Sequence, residues 1–129
     1  MTTIQKTVRI NADIDSVWAK ISDTAGISNL IGFLASSVQN GDTRTCTLDQ
    51  GGELVEKIIS VDPKLKRVMY SITKSPLNME FHAASMQVNE TENGSELVWT
   101  VDLLPPESVE HMEPMLAGAC ADMETTLAS

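Results

Sequence analysis

The sequence predicts an α+β fold in which a curved antiparallel sheet of seven strands wraps around a long C-terminal helix, with two short helices between strands 1 and 2. Three observations favour this class: apolar and polar residues alternate over most of the chain, Gly, Pro, Asn and Asp divide that part into short segments, and a helical apolar stripe follows Pro105. The length of 129 residues suits a single domain, residues 1–129.

The first strand and the two short helices come before the main run of strands. From Ile4 to Ile10 apolar and polar residues alternate, which is typical of a half-buried strand. Asn11 to Asp13 offer capping side chains, and the next apolar residues have helical spacing on one face: Ile14, Val17, Trp18 and Ile21. A weaker helical pattern over 27–34, formed by Ile27, Leu30, Ile31 and Leu34, is interrupted by Gly26 and Gly32, so we expect a short or irregular helix that covers one mouth of the sheet.

Turn residues divide the middle of the chain into six further strands. The predicted ranges are Ser36–Asn40, Thr43–Leu48, Glu53–Asp62, Arg67–Lys74, Met79–Glu90 and Ser95–Leu104. A two-residue turn at Asn93-Gly94 would pair Val88 with Trp99. The last helix carries an apolar stripe from Met112 to Leu127, and Pro114 predicts that it starts near Met112 or is kinked in its first turn.

The face that each strand turns inward follows from the alternation, except in strand 4. There the residues on the two faces are equally apolar, and both assignments stay open. A three-residue loop after Asp62 would place Ile58 opposite Tyr70 and Glu56 opposite Ile72, which turns the Glu56 carboxylate inward.

A concave sheet with one helix across it can leave space between them. An apolar void of ~300 Å³ would cost about 7 kcal/mol, so such a space should hold water or a ligand. The seven methionines provide an adaptable lining. The residues predicted to line a ligand site are Leu54, Glu56, Ile58, Tyr70, Ile72, Met79, His82, Ala84, Met86, Trp99, Val101, Met112, Met115, Leu116 and Ala119.

The composition argues against several classes of partner. A net charge of -9 and a pI near 4.5 disfavour nucleic acid and anionic membrane surfaces. No apolar stretch approaches a membrane span, and the first residues do not resemble a signal peptide. Cys46 and Cys120 have no metal or redox spacing, which favours free thiols in a reducing compartment, and hence a cytoplasmic protein, over a disulfide. We expect a monomer or homodimer without metal or cofactor.

Several local motifs, in their order along the whole chain, resemble the START-like superfamily (SRPBCC), which contains polyketide cyclases, the birch pollen allergen and the plant abscisic acid receptors. The motifs are Val8–Ala12 with Val17-Trp18, Val55–Ile59 running into Val61-Asp62, Val68–Ile72, and Gly94 leading to Val98–Val101. The resemblance implies the helix-grip fold, with a hydrophobic ligand held between the sheet and the last helix.

The resemblance also implies roles for single residues. In the abscisic acid receptors an inward glutamate helps to bind the polar end of the ligand, and the matching residue is Glu56. His82 stands where those receptors have an inward tyrosine. The segments that match their gate and latch are Asp49–Gly52 and Leu77–Met79, which differ from the receptor motifs and argue against reception of that hormone.

Three functions are compatible with these residues. The first is a module that binds a small hydrophobic molecule such as a lipid or polyketide. The second is a cyclase or aromatase-like enzyme in which Glu56 and His82 are the catalytic acid and base, with Tyr70 a less favoured candidate. The third is a protein-interaction module, which a large apolar patch near Val55, Ile59 and Met69 on the outer face would favour.

Overall fold

A computed structural model describes all residues from 1 to 129. The strands are β1 (Thr2–Ile10), β2 (Leu34–Asn40), β3 (Thr43–Leu48), β4 (Glu53–Asp62), β5 (Arg67–Lys74), β6 (Phe81–Thr91) and β7 (Gly94–Leu104). The helices are α1 (Ile14–Ser22) and α2 (Val109–Thr126), with 3₁₀ segments at Thr24–Asn29 and Pro106–Ser108. One antiparallel sheet has the order β1-β7-β6-β5-β4-β3-β2, which confirms the predicted fold class.

The two short helices form where the sequence predicted them. Asp13 caps α1, because its Oδ1 accepts a hydrogen bond of 2.7 Å from the backbone N–H of Ser16, and Val17 and Ile21 are buried. The second helix is a 3₁₀ segment in which Gly26 departs from helical geometry. None of the helices has the length and apolar character needed to cross a membrane.

The β4–β5 hairpin has the predicted pairing around Glu56, but its loop is longer than predicted and one strand contains a bulge. Asp62 pairs with Arg67, so the connection has four residues, and the predicted three-residue loop was wrong. A bulge at Ile59 then shifts the register, which brings Ile58 opposite Tyr70 and Glu56 opposite Ile72. Because of this pairing, Glu56 points to the concave side of the sheet and is buried.

The β6–β7 hairpin differs from the predicted register by two residues. Thr91 pairs with Gly94, so Trp99 lies opposite Met86, and the predicted pair of Val88 with Trp99 was wrong. Gly94 lies in the ladder, close to the end of β1, and only glycine fits there because a Cβ atom would lie 2.5 Å from the carbonyl oxygen of Ile10. A shift of two residues preserves the face, so Trp99 still points inward.

Helix α2 begins earlier than predicted, at Val109, and Pro114 lies inside it. It packs along β1, on the concave side of the sheet. Its buried face consists of Met112, Leu116, Ala119 and Met123, and Leu127 follows at the C-cap. These residues and the inward faces of the strands form one continuous apolar core, within which the cavity described below lies.

Candidate ligand-binding cavity

A cavity lies between the concave face of the sheet, the 3₁₀ region and the first half of α2. Its volume is about 50 Å³. Fourteen of its seventeen lining residues are hydrophobic. The half-buried ones form its rim: Phe33, Ile72, Leu77, Met79 and Met115. The buried ones form its wall: Ile27, Ile31, Leu34, Arg44, Leu54, Glu56, Tyr70, His82, Met86, Trp99, Met112 and Leu116.

An ion pair between β3 and β4 forms the polar part of this wall. Arg44 and Glu56 are paired directly across the ladder, and they are only 3% and 5% exposed. Arg44 Nε donates to Glu56 Oε1 at 2.7 Å, and Arg44 Nη1 donates to the carbonyl oxygen of Thr24 at 2.9 Å. The Cys46 thiol donates to the same Glu56 oxygen at 3.4 Å. Each buried charge therefore has an opposite charge beside it, as burial in apolar surroundings requires.

Two aromatic residues extend this polar group across the sheet. Trp99 Nε1 donates to the Tyr70 hydroxyl at 3.1 Å, and the Arg44 guanidinium lies 5.1 Å from the centre of the Tyr70 ring. Burial, followed by the nearby Glu56 charge, raises the pKa of the Tyr70 hydroxyl, and the same two causes raise the pKa of the Cys46 thiol to about 12. Both groups are therefore protonated at neutral pH.

His82 lies on β6 just beyond the end of its backbone pairing with β5. The β5–β6 ladder ends at the pair of Tyr70 with Ala84, and beyond it His82 Nδ1 accepts a hydrogen bond of 2.9 Å from the backbone N–H of Ile72. Burial lowers the pKa of His82 to about 4, so the ring is neutral at pH 7. Because Nδ1 is an acceptor, the ring proton is on Nε2, which has no partner within the protein.

The residues predicted to line a ligand site divide into two groups. Most of them line the cavity: Leu54, Glu56, Tyr70, Ile72, Met79, His82, Met86, Trp99, Met112, Met115 and Leu116. The others do not, because they are buried elsewhere in the core: Ile58, Ala84, Val101 and Ala119. Alternation gives the face of a strand that a residue occupies, and it does not give the distance of that residue from the cavity. The open space is also smaller than the ~300 Å³ considered from the sequence.

Several lining residues were missed by the sequence analysis. Arg44 could have been found, because a buried Glu56 needs a cation and Arg44 is the only basic residue of the neighbouring strand β3. The remaining missed residues lie in irregular segments or next to them: Ile27, Ile31, Phe33, Leu34 and Leu77. The weak helical pattern over 27–34 predicted that this segment covers one mouth of the sheet, but it did not show which of its side chains reach the cavity. Nowhere does the structure bring together three His, Cys, Asp or Glu residues that could hold a metal ion.

The outer face of the sheet is mainly polar. Ile59 is 49% exposed, whereas Val55 and Met69 are only partly exposed, and their neighbours on that face include Lys57, Ser71 and other polar residues. Val61, two residues from Ile59 on β4, is also exposed, whereas the remaining exposed large apolar residues lie on other strands, at strand ends or in turns: Met1, Val38, Leu65 and Phe81. The large apolar patch that would favour a protein-interaction module is therefore not present at that site.

Solved structures similar to this one share its whole fold. A protein called XoxI from Bacillus cereus aligns with a TM-score of 0.91 at 17% identity, covering 98% of this chain and 96% of that one. An uncharacterised protein from Bacillus thuringiensis has a TM-score of 0.91 at 16% identity, with 99% and 100% covered. The ZhuI aromatase/cyclase from a Streptomyces species has a TM-score of 0.78 at 14% identity, with 98% and 91% covered. At these identities the likeness shows the fold alone.

The sequence itself also matches a protein family. No curated protein matches it significantly. The family described as polyketide cyclase / dehydrase and lipid transport matches residues 1–129, the whole chain. Together with the helix-grip arrangement of the sheet and α2, this match shows that the chain belongs to that family, within the START-like superfamily.

Proposed function

We propose that this protein binds a small, mainly apolar molecule in the cavity between the sheet and α2, with a polar group of that molecule directed at the cavity wall. The observation that carries the proposal is the lining: an apolar interior space in which only a few polar side chains converge, chiefly Arg44, Glu56 and His82. Ligand sites in proteins typically have this composition. The family match supports the same class of function.

The small volume bears on how a ligand would enter. A cavity of 50 Å³ holds water-sized molecules, and at ~24 cal/mol per Å³ it costs about 1 kcal/mol, a small part of the net stability of a typical domain. A larger guest requires side chains to move. The methionines of the rim and wall suit this requirement, because an unbranched thioether changes rotamer at little cost: Met79, Met86, Met112 and Met115.

The polar groups favour recognition over acid–base chemistry. His82 Nδ1 is occupied by the Ile72 N–H, and Nε2 already carries the ring proton, so His82 can donate a hydrogen bond to a ligand but has no free nitrogen to accept a proton. Glu56 is held in an ion pair with Arg44. A cyclase-like reaction with Glu56 and His82 as acid and base therefore has less support than binding. We also propose a cytoplasmic location, because both cysteines are free thiols.

Thermal unfolding with a panel of lipids, aromatic polyketides and terpenoids tests the proposal. At a concentration of about 100 times its Kd, a cognate ligand should add about 2.7 kcal/mol, which raises the Tm by several degrees. Met115→Trp should fill the cavity and abolish the shift. Ala117→Trp is the matched control, because Ala117 is exposed on the same helix. No shift with any compound, or an unchanged shift in Met115→Trp, would count against the proposal.

A further inference from the structure

We infer that the cavity selects guests whose buried end carries no net charge, and that the Arg44–Glu56 pair is the selecting element. This inference rests on the proposed function, since it concerns the guest of the same cavity. Arg44 and Glu56 are the two charged residues among those that line the cavity. Their charges lie 2.7 Å apart, so the wall offers a cation and an anion side by side and no unbalanced charge.

A charged guest would be opposed by one member of this pair. Two of the nitrogens of Arg44 are already used, by Glu56 and by the Thr24 carbonyl. A carboxylate that approached the remaining nitrogen would lie close to the Glu56 carboxylate, and repulsion between like charges is little screened in an apolar site. An ammonium group that approached Glu56 would likewise lie close to the Arg44 guanidinium and be repelled by its positive charge. In both cases a third charge is buried without its own counter-ion.

A neutral polar group has partners that it can use without displacing the pair. His82 Nε2 can donate to a carbonyl or hydroxyl oxygen. The two hydrogen bonds to Glu56 both end on Oε1, so Oε2 is left to accept from a hydroxyl. The chemistry of this wall therefore fits an apolar alcohol or ketone, and it disfavours a fatty-acid anion or an alkylamine.

Four probes of equal chain length separate these classes: decanol, methyl octyl ketone, decanoate and decylamine, measured by calorimetry at neutral pH. We expect the alcohol and the ketone to bind at least about tenfold more tightly than either ion. Equal affinities of decanol and decanoate would overturn the inference and leave the proposed function standing. No binding of any of the four would overturn both.

Two variants of the pair should change the preference in opposite directions. Glu56→Gln leaves the Arg44 charge unbalanced, so decanoate should become the best of the four probes, by about tenfold. Arg44→Gln leaves Glu56 unbalanced and should favour decylamine. Glu53→Gln is the control, because it makes the same change of charge at an exposed position of β4. An unchanged order of affinities in Glu56→Gln would overturn the inference.

A measurement on the unaltered protein keeps the test valid if these variants do not fold. As the pH falls from 8 to 5 a growing fraction of decanoate is protonated, so its apparent affinity should rise towards that of a neutral guest, by about tenfold in total. Decanol, which does not titrate, should bind equally throughout and controls for changes in the protein. Decanoate binding that does not vary with pH would overturn the inference.

Discussion

The two halves of α2 carry the same apolar stripe but have different surroundings. In the C-terminal half Ala119 and Met123 are completely buried, and hydrogen bonds tie this half to the rest of the chain: Gly32 N–H to Asp122 at 2.7 Å, and Thr126 to the Leu30 carbonyl at 3.0 Å. In the N-terminal half Met112, Met115 and Leu116 border the cavity. One end of the helix is thus close-packed, whereas the other bounds open space, and substitutions at the two ends should have different consequences.

The largest effect is expected in the close-packed half. Met123→Ala removes a fully buried side chain from a site with no space to relax, so it should lower the free energy of unfolding by about 2 to 5 kcal/mol. Urea denaturation measures this loss. A loss of unfolding free energy below about 1 kcal/mol would contradict this distinction, since it would show that the C-terminal half of α2 is no better packed than the half at the cavity.

His82, which lies on β6 in the cavity wall, should change the free energy of unfolding by about 3 kcal/mol with pH. Burial lowers the pKa of His82 from 6.5 to about 4 in the folded protein, so as the pH falls the unfolded chain takes up the proton first. The free energy of unfolding therefore has its full value above about pH 6.5, where His82 is neutral in both states, and decreases as the pH falls to about 4. His82→Asn retains an acceptor near Nδ1 and does not titrate.

The difference in stability between wild type and His82→Asn, measured by urea denaturation, should therefore move against the wild type by about 3 kcal/mol between pH 7 and pH 4. His111→Asn provides the control, because His111 is exposed at the start of α2. Parallel pH profiles of wild type and His82→Asn would show that His82 is not the group that titrates.

The smallest effect on stability is expected at the rim. Met115 is half-buried and faces the cavity, so Met115→Ala should cost about 1 kcal/mol or less, which is below the usual loss for a fully buried methionine. The variant should also enlarge the cavity and admit bulkier guests. Urea denaturation and calorimetry with guests of increasing size measure the two effects. A loss as large as that of Met123→Ala would contradict the distinction between the two halves.

The architecture follows from patterns that are local in the sequence, and the details that it leaves open are those set by contacts between distant segments. Period-two alternation and turn residues were sufficient to predict the strands, and a shift of register by two residues in β6–β7 left the inward face unchanged. The bulge at Ile59 has no local signature, yet it decides the pairing of Glu56. Gly94, which was predicted to lie in the turn, pairs in the ladder and lies against the carbonyl of Ile10, a residue far away in the sequence.

The site was less predictable than the fold for a physical reason. A side chain lines a cavity only if nothing else fills the space before it, and this depends on volumes contributed by several elements at once. Val101 and Trp99 share an inward face, yet only Trp99 reaches the cavity. The partner of Glu56, by contrast, follows from the need of a buried carboxylate for a cation, because Arg44 is the only basic residue of the neighbouring strand β3.

Pro114 has a consequence for the way the helix behaves near the rim of the cavity. Proline has no N–H, so the carbonyl of Glu110, four residues earlier, lacks its usual helical partner. The first turns of α2 are therefore joined to the rest of the helix by one backbone bond fewer. Local fraying of this segment therefore breaks fewer hydrogen bonds than fraying of the distal turns, which Asp122 and Thr126 anchor to the rest of the chain.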